Sequence, residues 1–218
     1  KDDSITLERY PEYWGEKAYL DRVVFRVIPE NTVRLLALRE GSVHGLDGLN
    51  TDLARQLQAE NKHNLLTQPG MNAGYLAMNM DKPPFDKQEV RLAINYAIDR
   101  DAIVQGLYGG FGTPAVNPMP PTLWGYNRSV QAYAYNPAKA EELLAQAGYR
   151  DGFKTVLWAM DGPRPYMPDP LKIAEAIQAN LKAVGIDASV HSVEWGTYLD
   201  QTQHGRHEMC LMGWTGDN

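Results

Sequence analysis

The chain has 218 residues, room for one large or two small domains, and its 44% hydrophobic and 22% charged content fits a soluble globular protein. A net charge of −6 with no run of basic residues argues against nucleic acid or an anionic membrane as partner. One cysteine, Cys210, leaves no internal disulfide and no Cys-based metal framework, and no apolar stretch approaches the length of a membrane span or reads as a signal peptide.

In chain order, residues 5–10 alternate like a strand, residues 11–17 form an aromatic-rich turn, and residues 22–28 read as a second strand. Residues 32–39 predict a short helix capped by Asn31 and stopped by Gly41. A short strand at 43–46, a helix at 51–59 and a strand at 65–68 follow. A segment boundary is expected near Pro69-Gly70, with residues 1–70 as part of one lobe and residues 71–218 as most of a larger second lobe. Residues 75–80 predict a strand. Asp86 then opens a helix with Glu89 as capping-box partner, and Val90, Ala93, Ile94, Ala97 and Ile98 form its apolar face. Asp99 caps a further helix through Leu107, and residues 111–128 form a Pro- and Gly-rich connection. Asn136-Pro137 starts a helix with proline at its first position, Ala140, Leu143, Leu144 and Ala147 facing inward, and Gly148 ending it. A buried strand at 155–160, a helix from Asp169-Pro170 with the stripe Ile173, Ile177, Leu181 and Val184, a strand at 187–193, a short helix from Trp195 and a last strand complete the order. Strands alternating with helices imply an α/β fold.

Two stretches carry the chemistry. Between the buried strand and the long helix lies Asp161-Gly162-Pro163-Arg164-Pro165-Tyr166-Met167-Pro168-Asp169-Pro170. Ligands of open α/β sheets bind at such strand-to-helix loops. Its prolines restrict φ and hold Arg164 and Tyr166 in place. A guanidinium donates two parallel hydrogen bonds to a carboxylate, which an ammonium does not. The second stretch is the terminal Gly213-Trp214-Thr215-Gly216-Asp217-Asn218, with Trp214 and Asp217 just past a strand. A base and an acid at two strand ends suit a zwitterion. An Arg-Pro-Tyr surface loop without a ligand is the plainer reading.

Together the two motifs resemble those of the dipeptide-binding branch of the extracellular solute-binding proteins, family 5, which serve peptide ABC transporters. The blocks Gly74-Tyr75-Leu76-Ala77-Met78-Asn79-Met80, Pro84-Phe85-Asp86, and Val90 through Arg100 are similar to that family's most recognisable region. Tyr10-Pro11-Glu12-Tyr13-Trp14-Gly15 and Gly41-Ser42-Val43-His44-Gly45 match it as well. The resemblance implies a periplasmic-binding-protein-like (type II) α/β fold with two hinged lobes, here truncated to an internal piece. It implies that Arg164, Tyr166 and Asp217, with Trp214 in the same turn, contact the termini of a dipeptide. It also implies no catalysis, no cofactor, a membrane permease as partner, and a place on the periplasmic or extracellular side of the envelope. Longer oligopeptides, glutathione or haem are alternative ligands, and a peptidase or a module without a small ligand are alternative functions.

Other features weigh toward ordinary roles. His204 and His207, with Glu208, would share one helix face but show no third metal ligand, and Gly205 weakens that helix. Asp99-Arg100-Asp101 reads as helix capping rather than a metal acid pair. Residues 106–113 are glycine-rich but lack Gly-Lys-Ser/Thr, so they form a turn and no phosphate loop. Met71, Met78 and Met80 read as core fillers, Cys210 as a buried small hydrophobe, and no serine lies in a Gly-x-Ser-x-Gly context.

Overall fold

The computed structural model describes residues 3–216, and its contacts divide the chain into two units, Lys1–His63 and Asn64–Asn218. In the first unit, β1 (Ser4–Glu8) pairs antiparallel with β2 (Arg22–Arg26), setting Ile5 opposite Phe25. Helix α1 (Asn31–Arg39) and helix α2 (Thr51–Glu60) follow. Asn31 is the first residue of α1 rather than its cap. Its Oδ1 accepts instead from Arg34 Nη2 at 2.9 Å and from the Asn50 amide at 3.1 Å, tying the two helix starts together. The expected strand at 43–46 does not form, because the Ser42 and Val43 amides fold back onto the Ala37 carbonyl of α1.

The second unit holds a four-stranded mixed sheet. Its strands are β3 (Asn72–Met78), β4 (Phe153–Met160), β5 (Ile186–Val193) and β6 (Met209–Thr215), in the order β3-β6-β4-β5. β3 runs antiparallel to β6, while β4 runs parallel to both β5 and β6. The expected strand at 65–68 is absent; it has no ladder partner among the described residues, and Leu66 is exposed.

Helix α6 (Pro170–Ala183) joins the parallel strands β4 and β5 and packs on both. Its buried stripe of Ile173, Ile177 and Leu181 is the expected one. Each such side chain contributes about 1.5–3 kcal/mol relative to exposure. Helix α3 (Gln88–Ala97) buries Val90, Ala93, Ile94 and Ala97 and packs against α5 (Pro137–Gln146) and α6. β4 is buried at every residue from Leu157 to Met160, as a central strand covered on both faces must be.

Caps set most of the boundaries. Asp99 accepts from the Ala102 amide to start α4 (Arg100–Leu107), Asn136 from that of Lys139 to start α5, and Asp169 from that of Lys172 to start α6. Helices stop as read at Gly41, Gly148 and Gly185, with φ of 74°, 87° and 90°. Asp86 is an exception. A pair of turns, Phe85 N to Lys82 O and Lys87 N to Pro84 O, delays α3 to Gln88, and Lys87 at its cap position makes no side-chain capping bond, its Nζ donating to the Ala147 carbonyl at 2.7 Å instead. Arg91 Nη1 reaches the Phe85 and Asp86 carbonyls instead, at 2.7 and 2.9 Å. Met80 is exposed rather than in the core, whereas Met78 packs against it.

Cys210 lies 2% exposed on β6, and burial pushes its thiol pKa up to about 12. It therefore stays a neutral thiol throughout the ordinary pH range. Native protein at pH 8 is expected to resist alkylation at Cys210, read by peptide mass mapping, and to be modified rapidly once unfolded in urea.

Candidate functional site

Because β4 and β6 are parallel, the loops that follow them leave the same end of the sheet. Their shared ladder covers only Leu157↔Met209 and Trp158↔Cys210, while β6 stays with β3 as far as Asn72↔Thr215. The strands thus part toward their carboxyl ends. Helix α7 (Trp195–Gln203) sends the buried Tyr198 to this parting. Its hydroxyl donates to the Leu211 carbonyl at 2.6 Å and lies 3.2 Å from that of Trp158. Burial raises the phenol pKa well above its ordinary value.

The Arg-Pro-Tyr loop is closed on itself: the amides of Arg164 and Met167 each donate to the other's carbonyl at 2.9 Å. Met167 anchors it, 2% exposed in the core. Tyr166 lies across the register pair Gly74↔Gly213. A Cβ on Gly213 would stand 2.1 Å from Tyr166 Cδ2, and one on Gly74 would stand 2.7 Å from the Tyr166 carbonyl. Only residues without a side chain allow this approach. Tyr108 Oη donates to the Tyr166 carbonyl at 3.0 Å, and burial pushes the Tyr108 pKa up to about 12. Asn72 Nδ2 donates to the Pro165 carbonyl at 3.4 Å. Burial raises the Tyr166 pKa, with the Arg164 charge opposing the rise.

Arg164 leans the other way. Its Nη1 donates to the Pro163 carbonyl at 2.9 Å, and its guanidinium carbon lies 4.0 Å from the centroid of the Trp195 ring. Trp195 in turn stacks on Tyr198, with centroids 5.8 Å apart and planes 16° apart. Arg164 Nε is buried without a partner, and among the described residues no carboxylate forms an ion pair with Arg164. The neighbouring Glu194 is occupied as the cap of α7, with Oε1 2.8 Å from the Gly196 amide and Oε2 3.1 Å from that of Thr197. Those two backbone bonds, the Gly196 bond foremost, lower its pKa.

Arg164 and Tyr166 thus sit on one loop beside the end of β6, where Trp214 follows Gly213 and is 65% exposed. Asp217 lies outside the described residues. Sequence reading missed the supports: Gly74, Gly213, Tyr108, Trp195 and Tyr198. A glycine inside each of two apolar strand patterns was the available signal, since such glycines mark close backbone approach. His204 and His207 do not share a helix face. His204 is the C-cap of α7 and His207 lies beyond it, its carbonyl accepting from Asn79 Nδ2 at 3.1 Å. Among the described residues no group of three or more His, Cys, Asp or Glu is placed to hold a metal ion, and no helix is long and apolar enough to cross a membrane.

Gly213→Ala is expected to displace the Tyr166 ring and to destabilise the protein by about 1–3 kcal/mol in urea unfolding. Adding Tyr166→Ala removes the obstacle, so the double variant should show a smaller second cost than Tyr166→Ala shows alone; additive costs would mean that the two residues do not press on each other.

The chain is 43% identical over its whole length to the dipeptide-binding protein of Escherichia coli (strain K12), spanning 41% of that protein. It is 38% identical to heme-binding protein A of Haemophilus influenzae, again with 100% of this chain and 40% of the relative covered. Among solved structures, the ABC transporter-associated periplasmic binding protein DppA from Helicobacter pylori, in complex with peptide STSA, superposes with a TM-score of 0.80 at 43% identity, covering 100% of this chain and 41% of that one. The chain thus spans about two-fifths of the length of these relatives. The family described as bacterial extracellular solute-binding proteins, family 5 Middle, matches residues 1–218, and the chain belongs to that family.

Proposed function

We propose that the protein carrying this chain is the substrate-binding component of an ABC transporter that captures dipeptides for import, outside the cytoplasmic membrane, and hands them to a membrane permease. The observation that carries the reading is Arg164: a cation fixed on a closed loop at the carboxyl end of the sheet, with a buried Nε–H that has no partner. A buried donor left unpaired costs about 1–3 kcal/mol, and a ligand carboxylate removes that cost. In this reading Arg164 holds the peptide α-carboxylate and Asp217 the α-ammonium. Tyr166 bonds ligand backbone or carboxylate and walls the site, with Trp214 beside it. Residues 1–70 contribute to one lobe and residues 71–218 to the other, and the lobes close about a hinge, as periplasmic binding proteins do. A relative named for dipeptides, at 43% identity, supports this ligand class. The task is capture and release, with no bond made or broken.

One observation favours a second reading, in which longer peptides bind: the Helicobacter pylori relative holds the peptide STSA. Fixed charges at both ligand ends select length, because a longer peptide leaves a desolvated charge unpaired. Competition of alanyl-alanine against tetra-alanine in the intact protein separates the two readings, with haem as a further competitor.

Arg164→Ala in the intact protein is expected to weaken dipeptide binding by about 2–4 kcal/mol in titration calorimetry, with Arg164→Lys recovering only part because the bidentate fork is lost. An Ala variant within about twofold of the parent, roughly 0.4 kcal/mol, excludes the carboxylate role. N-acetylation or C-terminal amidation of the ligand should each cost at least about tenfold, ~1.4 kcal/mol. Normal binding of acetylated dipeptide would leave Asp217 as a turn former only.

A further inference from the structure

Arg164 could be held by an ion pair or by an aromatic face, and the structure uses the aromatic face. A carboxylate nearby would neutralise it and compete with any anionic ligand. Glu194, the N-cap of the adjoining helix, bonds its two oxygens to the Gly196 and Thr197 amides; its charge and that of Arg164 attract each other, but the two form no ion pair. The support comes instead from an aromatic face: the guanidinium carbon lies 4.0 Å from the Trp195 centroid. A cation over an indole is attracted by the ring quadrupole without using its hydrogen-bond donors; Nη1 is bonded to the Pro163 carbonyl, and the contact with the ring uses none of the N–H groups. The indole is itself fixed. It stacks on Tyr198 at 5.8 Å and 16°, and Tyr198 is fully buried with its hydroxyl on the Leu211 and Trp158 carbonyls of β6 and β4. A continuous column therefore runs from the sheet, through Tyr198 and Trp195, to the guanidinium.

We propose that Trp195 is a positioning residue of the binding site, acting through Arg164: its ring holds the guanidinium in the plane and place at which a ligand carboxylate is received. The inference rests on the carboxylate-binding reading of Arg164 given above. Trp195 sets geometry and leaves the donors to the ligand, so its effect requires Arg164 to be present.

The test is a double-mutant cycle in the intact protein, with alanyl-alanine as the probe and calorimetry as the readout. Trp195→Leu is expected to weaken binding about tenfold, ~1.4 kcal/mol, in the parent and less than about twofold when Arg164 is already Ala. Trp195→Phe, which keeps an aromatic face, is expected to recover most of the loss. An equal loss in both backgrounds overturns the proposal, because Trp195 would then act independently of Arg164. A second measurement needs no variant to fold. In the parent protein, the Arg164 Nε–H proton resonance should be shifted upfield by the indole ring current and should remain so when alanyl-alanine is bound. Movement to an unshifted position on binding overturns the proposal even if the cycle cannot be completed. If Arg164→Ala binds like the parent, the carboxylate reading fails, and the proposal with it. If Arg164→Ala weakens binding and Trp195→Leu does not, only the role of Trp195 fails.

Discussion

The absence of side chains at one register pair decides where the Arg-Pro-Tyr loop lies. Gly74 on β3 and Gly213 on β6 face each other, and together they leave a flat place on the sheet into which Tyr166 fits. Any Cβ at Gly213 would collide with the ring, so the position of Tyr166 depends on two residues far from it in sequence. With Tyr166 seated, Met167 reaches the core, the turn closes through the two Arg164–Met167 backbone bonds, and Asp169 arrives where it can cap α6. The Tyr108 hydroxyl on the Tyr166 carbonyl fixes the same loop from α4.

The parting of β4 from β6 is the companion condition. Two hydrogen-bonded strands side by side would leave no carbonyls for Tyr198 to reach. By stopping the ladder after Trp158↔Cys210, the sheet exposes polar backbone to its own interior, and the phenol satisfies it there. This ties α7, and with it the Trp195 face under Arg164, to the end of the sheet where both motif-bearing loops emerge.

How far the sequence could be read depended on the range of the interaction. Asp99, Asn136-Pro137 and Asp169-Pro170 announced their helices because a cap acts within three residues. The stripes of α3 and α6 were legible from their 3.6-residue spacing. Residues 43–46 and 65–68 looked like strands, but a strand exists only with a partner, and pairing is not written in a short apolar run. Asp86 had the residue types of a capping box, yet consecutive turns and Arg91 took over the start of α3. Arg164, Tyr166 and Trp214 were singled out as candidates through motif. Their supports, Gly74, Tyr108 and Trp195, act across long sequence separations and left no local mark beyond a glycine in a strand.

The closed turn at Arg164–Met167 has a consequence for the entropy of binding. A free loop that must be ordered by its ligand subtracts about 0.5–1.5 kcal/mol from affinity for each rotamer-rich side chain immobilised. Here the backbone is already bonded to itself, Tyr166 is already pressed against glycine, and the guanidinium already rests on an indole. The disorder was given up when the chain folded, at the expense of folding stability. A ligand received on this loop, as proposed above, would spend its contact free energy on affinity rather than on ordering the loop.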